Sequence, residues 1–293
     1  MKNLIQDIKS YFNNNMVLYR LVLINVVVFI GVNFVDLFGF LFGLSFSLDK
    51  LLRLFFGLEA GVTNFIWKPW TIITYMFLHD DIFHILFNML FLTWTGKLFS
   101  EYLGQQKLSA TYFLGGIAGG LFYIIAYQIF PAFTNHNQAI LIGASAGVLA
   151  VFFAVATLLP NYTTQLLFIG SVKLKFLAII MFLLYAFSIP SGNAGGHIAH
   201  IGGALFGFVS IKFLQSGTDI TKWFTKLFSF KSKSHKNLKV AYRSNENADD
   251  IYLNKQRMTQ ENLDRILDKI NRSGFDSLTT DEKEFLYKAS GKN

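Results

Sequence analysis

The 293-residue chain contains no cysteine, which removes disulfides, thiolate nucleophiles and zinc–thiolate sites from its repertoire. It is also short of charge, with 15% charged residues against 53% hydrophobic ones, a low share for a soluble protein. No carboxylate occurs between Glu101 and Asp219. That stretch therefore cannot supply the acid of a Ser-His-Asp triad. There is no HExxH pair to seed a zinc site, and no internal repeat of the kind transporters tend to carry.

The charge that is present is segregated. Residues 1–215 hold 11 Lys/Arg and 7 Asp/Glu, while 216–293 hold 15 and 11. The first part reads as a polytopic membrane domain and the second as a charged, soluble tail. The net charge of +8 comes largely from membrane flanks, which points to anionic lipid and away from nucleic acid.

About 20 mainly apolar residues cross a bilayer. Six segments are read as spans: 17–40, 82–100, 108–130, 138–159, 174–190 and 195–215. The first begins near Val17 without a small-residue cleavage site, so it reads as a retained helix and not a signal peptide. With the N-terminus inside, Lys2, Lys9, Lys97, Lys107, Lys173, Lys175, Lys212, Lys222, Lys226, Lys231 and Lys233 all fall on the cytoplasmic face, as the positive-inside rule prefers. The connections 131–137 and 190–194 lie outside and hold no Lys or Arg.

The expected organisation is all-α. A cytoplasmic segment 1–16 precedes a six-span membrane domain at 17–215. Within it, residues 41–69, which run into Trp70, form an outer loop that reads either as amphipathic turns in the interface or as an ordinary ordered loop with aromatic anchors. A basic linker at 216–248 touches the inner leaflet, and a small cytoplasmic helical hairpin occupies 249–293. In that hairpin Gly274 ends one helix and Thr279-Thr-Asp-Glu282 forms a capping box for the next. Too small for a large core, the hairpin reads as a docking or regulatory element whose partner is unassigned.

Three polar islands interrupt the apolar spans: His84 and Asn88, then Gly143, Ser145 and Gly147, then His200, Gly203 and Gly207. Polar groups at membrane depth are costly unless they pair or line a wet cavity. Spans two, four and six run in the same direction, and each island sits a few residues past the outer end of its span. At 1.5 Å per residue this places all three about 5–12 Å below the outer surface. The small-xxx-small pairs Gly143/Gly147 and Gly203/Gly207 let helices approach closely. His200 can then activate Ser145. His84 and Asn88, at i and i+4 on one helix face, can point at a developing oxyanion, together with the Ser145 backbone N–H at the start of its helix. With no carboxylate in spans three to six, a triad would have to borrow Asp80 or Asp81, and a dyad is expected.

Other readings compete. A lone serine between small residues is usually a packing residue. His197 is a rival base, although it lies nearer the outer loop and lacks the Gly-Gly that follows His200; His79 also lies toward the loop. A metal held by His84, His197 and His200 is chemically conceivable, but no HExxH pair occurs.

Over roughly residues 15–215 the chain resembles the rhomboid intramembrane serine proteases in their six-span bacterial form. HxxxN (His84, Asn88), GxSxG (Gly143, Ser145, Gly147) and AHxxGxxxG (Ala199, His200, Gly203, Gly207) carry the resemblance, together with Trp70 to His79. It implies Ser145 as nucleophile, His200 as base, and His84, Asn88 and the Ser145 amide around the oxyanion. It also implies no metal or cofactor, transmembrane proteins as substrates, and cleavage near their outer ends. Span five and the loop Ser191–Gly196 would be gate and cap, and the setting a bacterial cytoplasmic membrane with both termini in the cytoplasm. The chain departs from the family pattern at Thr71, where an arginine often follows the tryptophan. Ala146 stands in place of a glycine, and Leu149 in place of an aromatic that stacks on the catalytic imidazole. None of these removes a catalytic group. An inactive rhomboid-like protein that binds membrane helices and a six-span transporter are the alternatives.

Overall fold

The computed structural model describes residues 16–44, 47–133, 138–166, 170–227 and 248–289. The expected segment 1–16, save its last residue, and positions 228–247 of the expected linker lie outside the described residues. Two compact units part near residue 234.

The first unit runs α1 (Met16–Leu41), α2 (Leu48–Phe56), β1 (Leu58–Glu59), α3 (Val62–Trp67), α4 (Thr71–Thr74), α5 (Ile82–Leu103), α6 (Gln105–Ile129), β2 (Ile140–Leu141), α7 (Ser145–Leu158), β3 (Thr163–Leu166), β4 (Gly170–Lys173), α8 (Leu174–Phe187), α9 (Ala194–Gln215) and α10 (Lys222–Leu227). Among the described residues four helices, α1, α5, α6 and α9, are long and apolar enough to cross a membrane. Helices α7 and α8 are apolar but have 14 residues each, about 21 Å at 1.5 Å per residue.

The short α7 corrects the expected span 138–159. Residues 140–141 are extended and pair antiparallel with 58–59, so the helix begins only at Ser145. Asp36 near the end of α1 accepts from the Leu48 and Asp49 amides and caps α2, whose Leu51, Leu54 and Phe55 remain exposed. The 216–248 segment needs a second correction. Part of it is α10, whose Phe224 packs on Ala110 and Leu114 of α6, while Lys107 pairs with Asp219 at 3.0 Å.

Helix α7 is apolar on every face and buried at every position from Ala146 to Ala156, the pattern of a helix enclosed by others. Missing side chains make the enclosure tight. A Cβ on Gly115 or Gly119 of α6 would come within 2.0 Å of the Ala150 Cβ or 2.6 Å of the Ala146 Cβ. From α9, a Cβ on Gly203 or Gly207 would meet the Ala146 or Ala150 carbonyl oxygen at 2.1 and 2.2 Å. The sequence reading also assigns Gly143 and Gly147 to this contact, and here the structure differs. Gly147 faces Tyr112 and Met76, and Gly143 faces His84, because the α7 surface turned to α9 is Ala146 and Ala150.

The second unit contains α11 (Ala248–Ser273) and α12 (Thr280–Ala289). Gly274 (φ 79°) ends α11, its N–H reaching the Ile270 carbonyl at 2.8 Å. The capping box forms reciprocally: Glu282 N–H donates to Thr279 Oγ1 at 3.3 Å, and Thr279 N–H to Glu282 Oε2 at 2.8 Å. Lys269 of α11 pairs with Glu282 of α12 at 2.7 Å, and Ile266 and Leu278 are buried.

Overpacking at a backbone contact typically costs about 1–3 kcal/mol. Gly207→Ala should therefore lower the thermal unfolding midpoint of the detergent-purified protein. Gly31→Ala, where a Cβ meets nothing within 4 Å, should not. Equal midpoints for Gly207→Ala and the unaltered protein would show that the α7–α9 contact does not depend on the missing side chain.

Candidate active site

Ser145 occupies the first turn of α7, where backbone N–H groups have no intrahelical acceptor and the helix dipole is positive. The turn that delivers it depends on Gly143, whose φ of 120° suits glycine. The Gly143 N–H donates to the Tyr75 carbonyl at 2.9 Å, and the Tyr75 hydroxyl donates to the Gly116 carbonyl of α6 at 2.8 Å. One buried tyrosine thus ties the serine's approach to the bundle.

His200 lies on α9, two turns into the helix. Its Nε2 is 2.6 Å from Ser145 Oγ, while its Nδ1 is buried with no partner among the described residues. Among the described residues no carboxylate pairs with the imidazole. Tyr185 of α8 instead packs edge-on against it, ring centroids 4.5 Å apart. The sequence reading looks for this aromatic at position 149, where the chain has Leu149. Tyr185 takes the place from another helix.

His84 and Asn88 face the same cavity, of about 550 Å³, as Ser145 and His200. A Cβ at position 143 would lie 2.8 Å from His84 Nε2, so the glycine also makes room for this ring. Asn88 Nδ2 donates to the His84 carbonyl at 2.9 Å. An amide nitrogen carries two hydrogens, which leaves one for the cavity.

The borrowed aspartate exists, but it serves the other histidine. The Asp80 N–H is directed at His84 Nδ1 at 3.4 Å, and Asp80 Oδ2 is 3.7 Å from that atom. Arg53 of α2 holds the opposite carboxylate oxygen and is itself paired with Asp49 at 2.7 Å. The His84 ring, followed by Arg53, draws the Asp80 pKa down to about 2 against the opposing effect of burial. Asp81 does different work, accepting from the Phe83 and His84 amides as the cap of α5.

His79 is in the loop, as expected, yet buried, with its ring 5.0 Å from that of His84. Burial, followed by the neighbouring His84, pushes its pKa down to about 4. His197 lies 5.9 Å from His200 ring to ring, and its recorded ring neighbours are Tyr185 and His200.

Thr71 replaces an arginine, and the outer loop is braced by other residues. Glu59 receives both Lys68 and Asn64. The Trp70 indole N–H donates to the Phe55 carbonyl at 2.9 Å and the Thr74 hydroxyl to that of Phe56 at 2.8 Å. Thr71 itself is buried and donates to the Lys68 carbonyl.

Comparison with known proteins agrees with this architecture. Residues 67–216 match the family described as Rhomboid domain, and residues 246–292 match a family of unknown function, DUF6576. Similar proteins include RHOMBOID-like protein 12, mitochondrial, of Arabidopsis thaliana, 29% identical over 50% of this chain and 47% of that protein. Rhomboid-like protease 3 of Toxoplasma gondii is 27% identical over 54% and 57%, respectively. Inactive RHOMBOID-like protein 8 of Arabidopsis thaliana is 32% identical over a shorter stretch, 28% of this chain and 23% of its own length. The chain spans about half the length of the first two. With the domain covering just over half of its residues, and with α5, α6 and α9 packed around α7, this chain belongs to the rhomboid family.

Proposed function

We propose that the protein is an intramembrane serine endopeptidase that hydrolyses transmembrane proteins near the end of the bilayer where Ser145 lies. The observation that carries this reading is the 2.6 Å contact between Ser145 Oγ and His200 Nε2 at the wall of a cavity. In this mechanism His200, protonated at Nδ1, takes the Ser145 proton at Nε2 as Oγ attacks the scissile carbonyl. Negative charge develops on the carbonyl oxygen within reach of the Ser145 N–H, the free Asn88 N–H and His84. His200 then protonates the leaving amine, and a water activated by the same imidazole hydrolyses the acyl-serine. The pair works as a dyad.

Asp80 has a defined part in this scheme. When His84 is neutral, the Asp80 N–H favours a lone pair on Nδ1 and hence a proton on Nε2; when His84 is protonated, the carboxylate takes the Nδ1–H. In either state Nε2–H is a donor toward the cavity, which is what an oxyanion requires.

The cavity is walled by Phe87 and Phe91 of α5 and by Met181 and Tyr185 of α8, and α8 buries only Leu174 and Ala178. A substrate helix would enter between these two. In this reading α7 and α8 complete six spans, the lysine-rich connections face the cytoplasm, and a bacterial cytoplasmic membrane is the setting. A relative that is named inactive keeps the alternative of a helix-binding protein in view. The Ser145–His200 contact favours catalysis over it and over transport.

Ser145→Ala and His200→Ala should each abolish cleavage of a single-span reporter in liposomes and labelling by a fluorophosphonate, while His197→Ala retains both. Cleavage by purified Ser145→Ala protein would sink the protease reading. Asn88→Ala should lower kcat about 10²-fold with KM little changed, as for loss of one oxyanion donor. Asp80→Ala should show a smaller loss of the same kind, so a change confined to KM would remove Asp80 from this role.

A further inference from the structure

A second cavity, of about 410 Å³, opens between α7, α8 and α9 on the side of the bundle away from the cap of α5. Phe153 and Ala156 of α7, Phe182 of α8, and Ala204 and Phe208 of α9 give it apolar walls. Two of its lining residues are cations: Lys175 in the first turn of α8 and Lys212 in the last turn of α9. Both sit at the helix ends opposite the catalytic pair. Twelve residues of α9 separate Lys212 from His200, about 18 Å along the axis.

Among the described residues neither lysine meets an acid. Lys175 Nζ donates to Asn161 Oδ1 at 3.0 Å and lies 5.3 Å from the Phe176 ring centroid. Lys212 Nζ reaches Gln215 Oε1 at 3.5 Å and lies 5.7 Å from the Phe208 ring centroid. Their neighbours in the chain cannot neutralise them, because positions 102–218 contain no Asp or Glu.

An apolar slot between helices with two uncompensated ammonium groups at one end has the form of an amphiphile with a hydrocarbon tail and an anionic head. A peptide is a poor occupant, since the apolar walls offer almost nothing to its backbone amides. A free phosphate would leave the slot empty. We propose that this is a binding site for an anionic phospholipid, with one acyl chain between α7, α8 and α9 and its phosphate between Lys175 and Lys212. Under the orientation above, the lipid belongs to the cytoplasmic leaflet.

The site bears on the catalytic cavity through α8. That helix buries little of itself in the bundle, yet carries Tyr185 onto the His200 ring. A chain seated against Ile179, Phe182 and Leu183 supplies α8 with packing the protein does not provide.

The test uses the full chain carrying Ser145→Ala, so that it does not depend on protease activity. Native mass spectrometry from a neutral detergent would count retained phosphatidylglycerol and phosphatidylcholine with identical acyl chains. One phosphatidylglycerol per chain should be retained, about tenfold or more in preference to phosphatidylcholine, given two lysines near the phosphate. The double variant Lys175→Gln/Lys212→Gln should abolish that preference, whereas Lys50→Gln at the other membrane face should preserve it. Ile179→Trp, at an exposed rim position that tolerates bulk, should fill the slot and lower retention while folding normally. Equal retention of the two lipids, unchanged preference in the double variant, or equal binding of glycerol phosphate without acyl chains would each overturn the proposal.

Discussion

Ala146 and Ala150 are gripped from two sides by helices that present backbone where a side chain would normally stand. On one side are Gly115 and Gly119, on the other Gly203 and Gly207. Helix association in lipid gains little from the hydrophobic effect, so close van der Waals approach has to supply the attraction. The same approach brings α9 near enough to α7 for an imidazole to reach a serine hydroxyl. Packing and the candidate chemistry therefore rest on one set of absent Cβ atoms.

The handling of charge follows from the same economy. A carboxylate buried beside His200 would have to be desolvated in the interior of the bundle, at a cost of several kcal/mol. Acids near the cavity lie instead at its rim, on the loop that opens α5. There Asp80 is paired with Arg53 and leans on His84, and Asp81 caps the helix. Ionic groups stay where water or a counter-charge can reach them, and aromatic and imidazole rings line the deeper part.

Much of this was legible in the sequence because polar residues in apolar runs are rare and their spacing is informative. His84 and Asn88 fall on one helix face, and Gly203 and Gly207 mark a close approach. The six apolar runs became helices near the expected positions. What escaped has identifiable causes. Residues 139–142 are apolar and Gly143 reads as one half of a small-xxx-small pair, so nothing betrayed that Ile140 and Leu141 would pair with Leu58 and Glu59 and delay α7. Tyr185 is one aromatic in a helix full of large apolar residues, and its contact with His200 is made across space. Arg53 and Asp80 are 27 positions apart, and an amphipathic turn gives no sign of which distant acid its arginine will find. Phe224 sits in a basic stretch whose charge conceals a short docked helix.

Helix α8 has a consequence beyond the bundle. Its Ile179, Ile180, Leu184 and Phe187 are exposed, and its 14 residues fall about 9 Å short of an ordinary hydrocarbon thickness. In the proposed six-span arrangement, lipid beside it has to thin to match, at a cost of fractions of a kcal/mol per Å. A full-length helix drifting into that thinned annulus would no longer be wholly solvated by hydrocarbon, and its end would protrude into headgroups and water. Hydrophobic mismatch would thus loosen the end of an incoming helix before it reached Ser145.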